Sequence, residues 1–177
     1  LLFILTTDAD GGVPVHFRCA SGNTTDVVTH VETWNTLRAL TGRADFLYVA
    51  DSKLCSADNM SHIANAGGRF VTVMPRSRQE DAQFRKWVQT NSPAWELVWD
   101  RPNARDADGP RDLWYVFKPE LPSAELYGIV WVWSTLLTLH QTYSRHKRLA
   151  AATEQLTELK RRLGAARARL RGAAQID

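Results

Sequence analysis

The segment Phe46-Leu47-Tyr48-Val49-Ala50-Asp51-Ser52-Lys53 constrains this chain more than any other. Five apolar residues in succession, rich in β-formers, leave no polar side, which suits a strand buried on both faces as in a parallel sheet. The run ends on the carboxylate of Asp51, and a helix from about Ser56 to Ala66 follows. In open α/β sheets ligands bind outside the carboxyl ends of the strands. Asp51 therefore has two readings. It is a ligand for a divalent metal, or it caps the helix that follows.

The surrounding pattern supports an α/β class. Leu1–Thr7 and Val13–Cys19 read as two strands joined by the turn-rich Asp8-Ala9-Asp10-Gly11-Gly12, an antiparallel hairpin in which Asp8 and Asp10 serve the turn. Thr24 or Thr25 caps a helix that runs to about Leu40, with Gly42 closing it. Val27, Val31, Trp34, Leu37 and Leu40 recur along it at helical spacing. Beyond the Asp51 segment and its helix, Gly67-Gly68 leads into a second buried strand, Arg69–Met74. The β-α-β-α-β rhythm places residues 1–78 in an α/β unit.

From Gln79 the pattern changes. A short helix near Asp81–Thr90 precedes a loop crowded with Arg, Asp, Pro and Gly, and then Leu113–Lys118 and Tyr127–Ser134 read as paired antiparallel strands. Most of the seven Trp fall between Trp87 and Trp133, so residues 79–140 read as a Trp-rich β insertion. The longest apolar run, Tyr127–Leu139, is too short to span a bilayer and reads as a buried strand. Residues 141–177 form a basic amphipathic helix in which Leu149, Ala152, Leu156, Leu159, Leu163, Ala166 and Leu170 keep an a/d heptad spacing. Between Ser144 and Arg171 nine Lys or Arg stand against Glu154 and Glu158, whereas residues 1–143 are slightly acidic. That asymmetry fits a polyanionic partner. The helix either packs on a protein surface or lays its basic side on DNA.

Several chemistries are excluded or weak. The chain has no phosphate-binding or dinucleotide glycine loop and no Gly-x-Ser-x-Gly elbow. Cys19, His30, Cys55 and His62 match no zinc-ligand spacing, and the two cysteines read as buried structural thiols of a reducing cytoplasm. His16, His30 and His62 read as partly buried polar residues. Asp51, Lys53, Arg76 and Arg78 remain, an acid at one strand end with cations near it and after the next strand. This set suits metal-assisted phosphoryl chemistry.

Three stretches carry a resemblance: Gly22-Asn23-Thr24-Thr25-Asp26, Ala44–Leu54 around Asp51, and Gly68-Arg69-Phe70-Val71-Thr72-Val73-Met74-Pro75-Arg76. In sequence and order the chain resembles insertion-sequence transposases of the DDE type, nearest to the bacterial subgroup with a Tyr-Arg-Glu-Lys signature. The Trp-rich segment and the basic helix are similar to that subgroup's insertion. The resemblance implies a ribonuclease-H-like mixed sheet with flanking helices and three carboxylates holding two Mg²⁺ (or Mn²⁺) ions. Asp51 matches the second carboxylate, as metal ligand and catalytic residue. The implied partners are double-stranded DNA, both element ends and target, and a second copy in a synaptic homodimer. The implied location is the bacterial cytoplasm at the nucleoid, with no membrane.

On this reading Lys53, Arg76, Arg78, Arg161, Arg167, Arg169 and Arg171 contact DNA. The strand count lacks the first strand and its acid, for which Asp8 is a poor substitute. Glu154 or Glu158, downstream of a faint echo of the signature in Tyr143-Ser144-x-x-Lys147, are weak candidates for the third acid. The start at Leu1, on a core strand and without a signal peptide, then reads as a truncation. The chain is expected to be a central fragment of the catalytic domain, inactive by itself. Two alternatives stand beside it: a non-catalytic DNA-binding or dimerising module built on the basic helix, and a decayed transposase remnant.

Overall fold

The computed structural model describes residues 1–24, 26–106 and 108–164. Thr25 as a helix cap, the side chain of Val27, and Ala166, Arg167, Arg169, Leu170 and Arg171 lie outside the described residues. The chain is a mixed α/β protein that divides into two compact units, Leu1–Ser92 and a second beginning at Pro93. Among the described residues no helix is long and apolar enough to cross a membrane.

The first unit opens with a hairpin. Strands β1 (Leu2–Thr7) and β2 (Pro14–Ala20) pair antiparallel, with Leu5 opposite Phe17. The Asp8 carboxylate accepts the Val13 N–H at 2.9 Å, so its role is in the turn, as expected. Helix α1 (Asp26–Thr41) follows and ends at Gly42, whose φ of +67° only glycine adopts freely. Strand β3 (Leu47–Ala50), helix α2 (Ala57–Asn65) and strand β4 (Arg69–Thr72) then form a parallel crossover unit in which Val49 lies opposite Val71. Helix α3 (Gln79–Trp87) completes the unit.

The core lies between the helices and one face of β3–β4. Trp34 and Leu37 from α1 meet Tyr48, Leu54 and Ile63, with Phe46, Ala50 and Phe70 packed against them. Trp34 is fully buried, its ring 5.9 Å from Phe46 and edge-on to His62 at 5.8 Å. Gly68, the residue before β4, lies against it. A Cβ at that position would stand 2.7 Å from both the Trp34 ring and the Ile63 methyl group, and 3.0 Å from the Ile63 carbonyl oxygen. Only a residue without a side chain fits.

Four expectations are corrected in this unit. The strands are parallel, but they are covered on one face only: Leu47, Val49, Val71 and Val73 share the other face, and Val49 is 64% exposed. Among the described residues nothing covers these side chains as the second layer of a two-sided parallel sheet does. Leu40, the last apolar residue of the α1 stripe, is exposed, and Cys19 is exposed on the open face of the hairpin rather than buried. The hairpin and the β3–β4 pair are also separate two-stranded sheets, not one continuous sheet.

The second unit is an antiparallel sheet in the order β5 (Glu96–Arg101), β6 (Asp112–Phe117), β7 (Trp131–Ser134), followed by helix α4 (Thr135–Gly164). Aromatic side chains hold the sheet together: Tyr115 and Trp133 lie 4.8 Å apart across β6 and β7, and Trp95 contacts both Phe117 and Trp133. The expected pairing of the last two strands is present, but the expected strand across Tyr127–Leu139 is not. Ser134 is buried, and its hydroxyl accepts the Leu137 N–H at 3.3 Å. It thereby ends β7 and caps α4, which turns Thr135–Leu139 into the first turns of a helix.

The fit around Gly68 yields a stability expectation. Gly68→Ala forces Trp34 or Ile63 to move and lowers stability by about 1–3 kcal/mol, the usual range for overpacking. Urea-dependent hydrogen exchange at the Phe70 and Val71 amides measures it, and parental protection in the variant contradicts the packing described.

Candidate functional site

Asp51 is the first residue after β3, at the carboxyl end of the parallel pair. Its backbone is clamped from two sides. The Thr72 hydroxyl, at the end of β4, donates to the Asp51 carbonyl oxygen at 2.5 Å, and the Leu54 N–H donates to the same oxygen at 3.2 Å. The buried amide of Asn59, on α2, donates to the Lys53 carbonyl at 3.4 Å. The loop from Asp51 to Ser56 is therefore tied to both neighbouring elements.

The Asp51 side chain does not cap α2. Ser56 does: it has an extended backbone, and its hydroxyl accepts the Asn59 N–H at 3.3 Å. Asp51 folds back on its own turn, with Oδ1 accepting the Lys53 N–H at 2.8 Å. Among the described residues no donor reaches Oδ2, and the side chain is 73% exposed. The carboxylate is held by one oxygen and presents the other to solvent, a geometry suited to a cation ligand.

A histidine and a tyrosine complete the site, and the sequence reading assigned neither to it. His30 of α1 places Nδ1 3.1 Å from the Tyr48 hydroxyl and Nε2 4.0 Å from Asp51 Oδ1. Burial, together with the nearby Asp51 charge, pushes the Tyr48 hydroxyl up to about 12 from its ordinary value of 10.0, so it keeps its proton. The available signal was His30 one turn before Trp34, on the core-facing side of α1, where a polar residue needs a buried partner.

The remaining candidates are dispersed. Lys53 and Arg76 are exposed, Lys53 next to Asp51 in the same loop. Arg78 is largely buried and pairs with Glu80 at 2.7 Å. Arg161 lies on α4, in the other unit, and pairs with Glu158 at 2.7 Å. Glu154 shares that helix. His62 bonds Asn35 at 2.9 Å, so it belongs to packing between α2 and α1. At the amino end of β3 the Arg43 guanidinium chelates Asp45 and holds its carboxyl at about 2. Among the described residues no group of three or more His, Cys, Asp or Glu could hold a metal ion, and this includes the Cys19–His30–Cys55–His62 combination. One carboxylate fits one position of a metal shell; a two-ion site needs further acids.

The division of labour between Ser56 and Asp51 can be measured. Ser56→Ala is expected to cost about 1 kcal/mol of α2 stability, the usual value of an N-cap. Asp51→Ala costs less, by hydrogen exchange of the Ile63 and Ala64 amides; a larger loss from Asp51→Ala returns the capping role to the carboxylate. Compared with protein-family models, curated proteins and solved structures, the chain has no match in any of the three.

Proposed function

We propose that the chain is part of the catalytic core of a DDE-type insertion-sequence transposase, and that Asp51 is one of its metal-binding carboxylates. The observation that carries this is the state of Asp51: it stands at the carboxyl end of a parallel strand, anchored through Oδ1, with Oδ2 open. The element order supports the reading. A hairpin, a helix, a strand ending on the acid, a helix and a parallel strand follow the ribonuclease-H-like order once its first strand is set aside. Two separate two-stranded sheets are what remains of such a sheet without the strand that joins them.

In this role Asp51 is a ligand and not a base. Bound Mg²⁺ would supply activation of the attacking water or 3′-hydroxyl and stabilisation of the leaving oxygen. The chain's own contribution is orientation: the Lys53 N–H and the clamp from Thr72 hold the carboxylate at a fixed angle to the strand end. Lys53 and Arg76, exposed after β3 and β4, suit contact with DNA phosphates. Cleavage and joining of double-stranded DNA by a synaptic homodimer, at the bacterial nucleoid, is the activity so implied, and it requires two further carboxylates beside Asp51.

A second reading rests on α4. Leu149, Leu156 and Leu163 are exposed along one side, with Arg148 and Arg162 on one border and Lys160 on the other. The apolar seam suits pairing with another helix, and the basic residues beside it suit DNA phosphates.

Two experiments separate the readings. In a protein that supplies all three carboxylates, Asp51→Ala should abolish Mg²⁺-dependent strand cleavage while leaving end binding largely intact, as scored on labelled element ends; retained cleavage removes the assignment. Joint replacement of Arg161, Arg167, Arg169 and Arg171 by Gln should flatten the dependence of log K on log salt, by about 0.9 for each phosphate no longer neutralised. An unchanged slope limits the basic segment to a packing role.

A further inference from the structure

Helix α4 runs for 30 residues and buries none of its side chains. Its ties to the sheet are at its start. The Thr135 hydroxyl accepts the Leu113 N–H and donates to the Arg111 carbonyl, each at 3.0 Å, and the Thr138 hydroxyl accepts the Trp133 indole N–H at 2.6 Å. From Tyr143 to Gly164 every residue except Leu159 is exposed. Helices in proteins draw most of their stability from packing an amphipathic face, and this stretch has such a face with nothing packed on it among the described residues. Leu149, Ala152, Leu156, Leu159 and Leu163 form one stripe about 21 Å long. Two residues in every seven make the narrow seam by which one helix meets another.

The charges beside the seam narrow the choice of partner. With Leu149 at heptad position a, Arg148 and Arg162 take g and Lys160 takes e, the positions that face a partner helix. Thr153 and Gln155 share these borders, and no acid does. Glu154 and Glu158 fall away from the seam, at f and c, and Glu158 is paired with Arg161 at 2.7 Å. A second copy of this stretch therefore brings no counter-charge to the border cations. A DNA backbone meets the cations but leaves the leucines in water. We propose that the α4 seam docks an amphipathic helix of another protein whose own apolar stripe is flanked by Asp or Glu. This rests on the reading of the seam as a helix-pairing surface. The leucines supply the contact, and the three cations select the partner, since exposed charge pairs act more on specificity than on affinity.

The test uses the full chain and two labelled synthetic heptad peptides, both with Leu at a and d, one with Glu and one with Lys at e and g. By fluorescence anisotropy the chain should bind the Glu peptide about tenfold more tightly than the Lys peptide, and the gap should close as salt rises. Joint Arg148→Glu, Lys160→Glu and Arg162→Glu should reverse the preference, a gain of binding that unfolding cannot produce. Leu156→Asn with Leu163→Asn should weaken binding of the Glu peptide. Equal affinity for the two peptides, or preference for the Lys peptide, overturns the proposal and leaves the seam a helix-pairing surface. Self-association that Leu156→Asn abolishes and the Glu peptide does not displace makes a second copy the occupant, which also overturns it. Binding of neither peptide by a monomeric chain, whether or not the chain binds a DNA duplex through the three cations, overturns the helix-pairing reading itself and the proposal with it.

Discussion

The indole of Trp34 is the constraint on which the first unit depends. It is fully buried where α1, α2 and the β3–β4 pair come together, and each of them yields space to it. Phe46 packs against it at a tilt, Ile63 shares its core cluster, His62 meets it edge-on, and Gly68 has no side chain because the ring occupies that volume. A buried aromatic of this size contributes several kcal/mol, about 3–5 by the usual cost of truncating one to alanine. It also fixes geometry: with the ring in place, α1 has one way to lie across the strands, and His30, one turn earlier, comes to rest beside Tyr48.

The site inherits its order from this packing and from turn chemistry. Thr72, Leu54 and Lys53 place the Asp51 backbone and carboxylate, while Ser56 takes over the capping of α2. Asp51 is freed from a structural duty that its position before a helix would otherwise suggest. A carboxylate that is oriented but not consumed by its surroundings can serve a ligand. Asp45, chelated by Arg43 at the other end of the same strand, is consumed in that way.

The hairpin, the first two helices and the parallel pair were legible in the sequence because each follows from local rules: alternation, a helical stripe, and turn residues between them. What was not legible depends on surroundings. The apolar residues on both faces of β3 and β4 record what those strands bury best, not what covers them here, so Leu47 and Val49 were expected inside and stand outside. Strand β5 carries no alternation, since Leu97, Val98 and Trp99 run together between charges, and the irregular register at Leu97–Trp99 breaks its period. The boundary between β7 and α4 turns on Ser134, a small hydroxyl residue inside a mostly apolar run. Asp51 could be singled out from its place at a strand end. Its link to His30 spans more than twenty positions and exists only after α1 has packed.

The open face of β3–β4 has a consequence for the chain as a physical object. Leu47, Val49, Val71 and Val73 project from strands whose outer edges have no strand partner among the described residues, and Phe3, Leu5, Val15 and Phe17 do the same on the hairpin. Branched and aromatic side chains beside unsatisfied strand edges attract other strands. For such a molecule strand-to-strand association through these faces and edges is the route by which self-association is expected to begin.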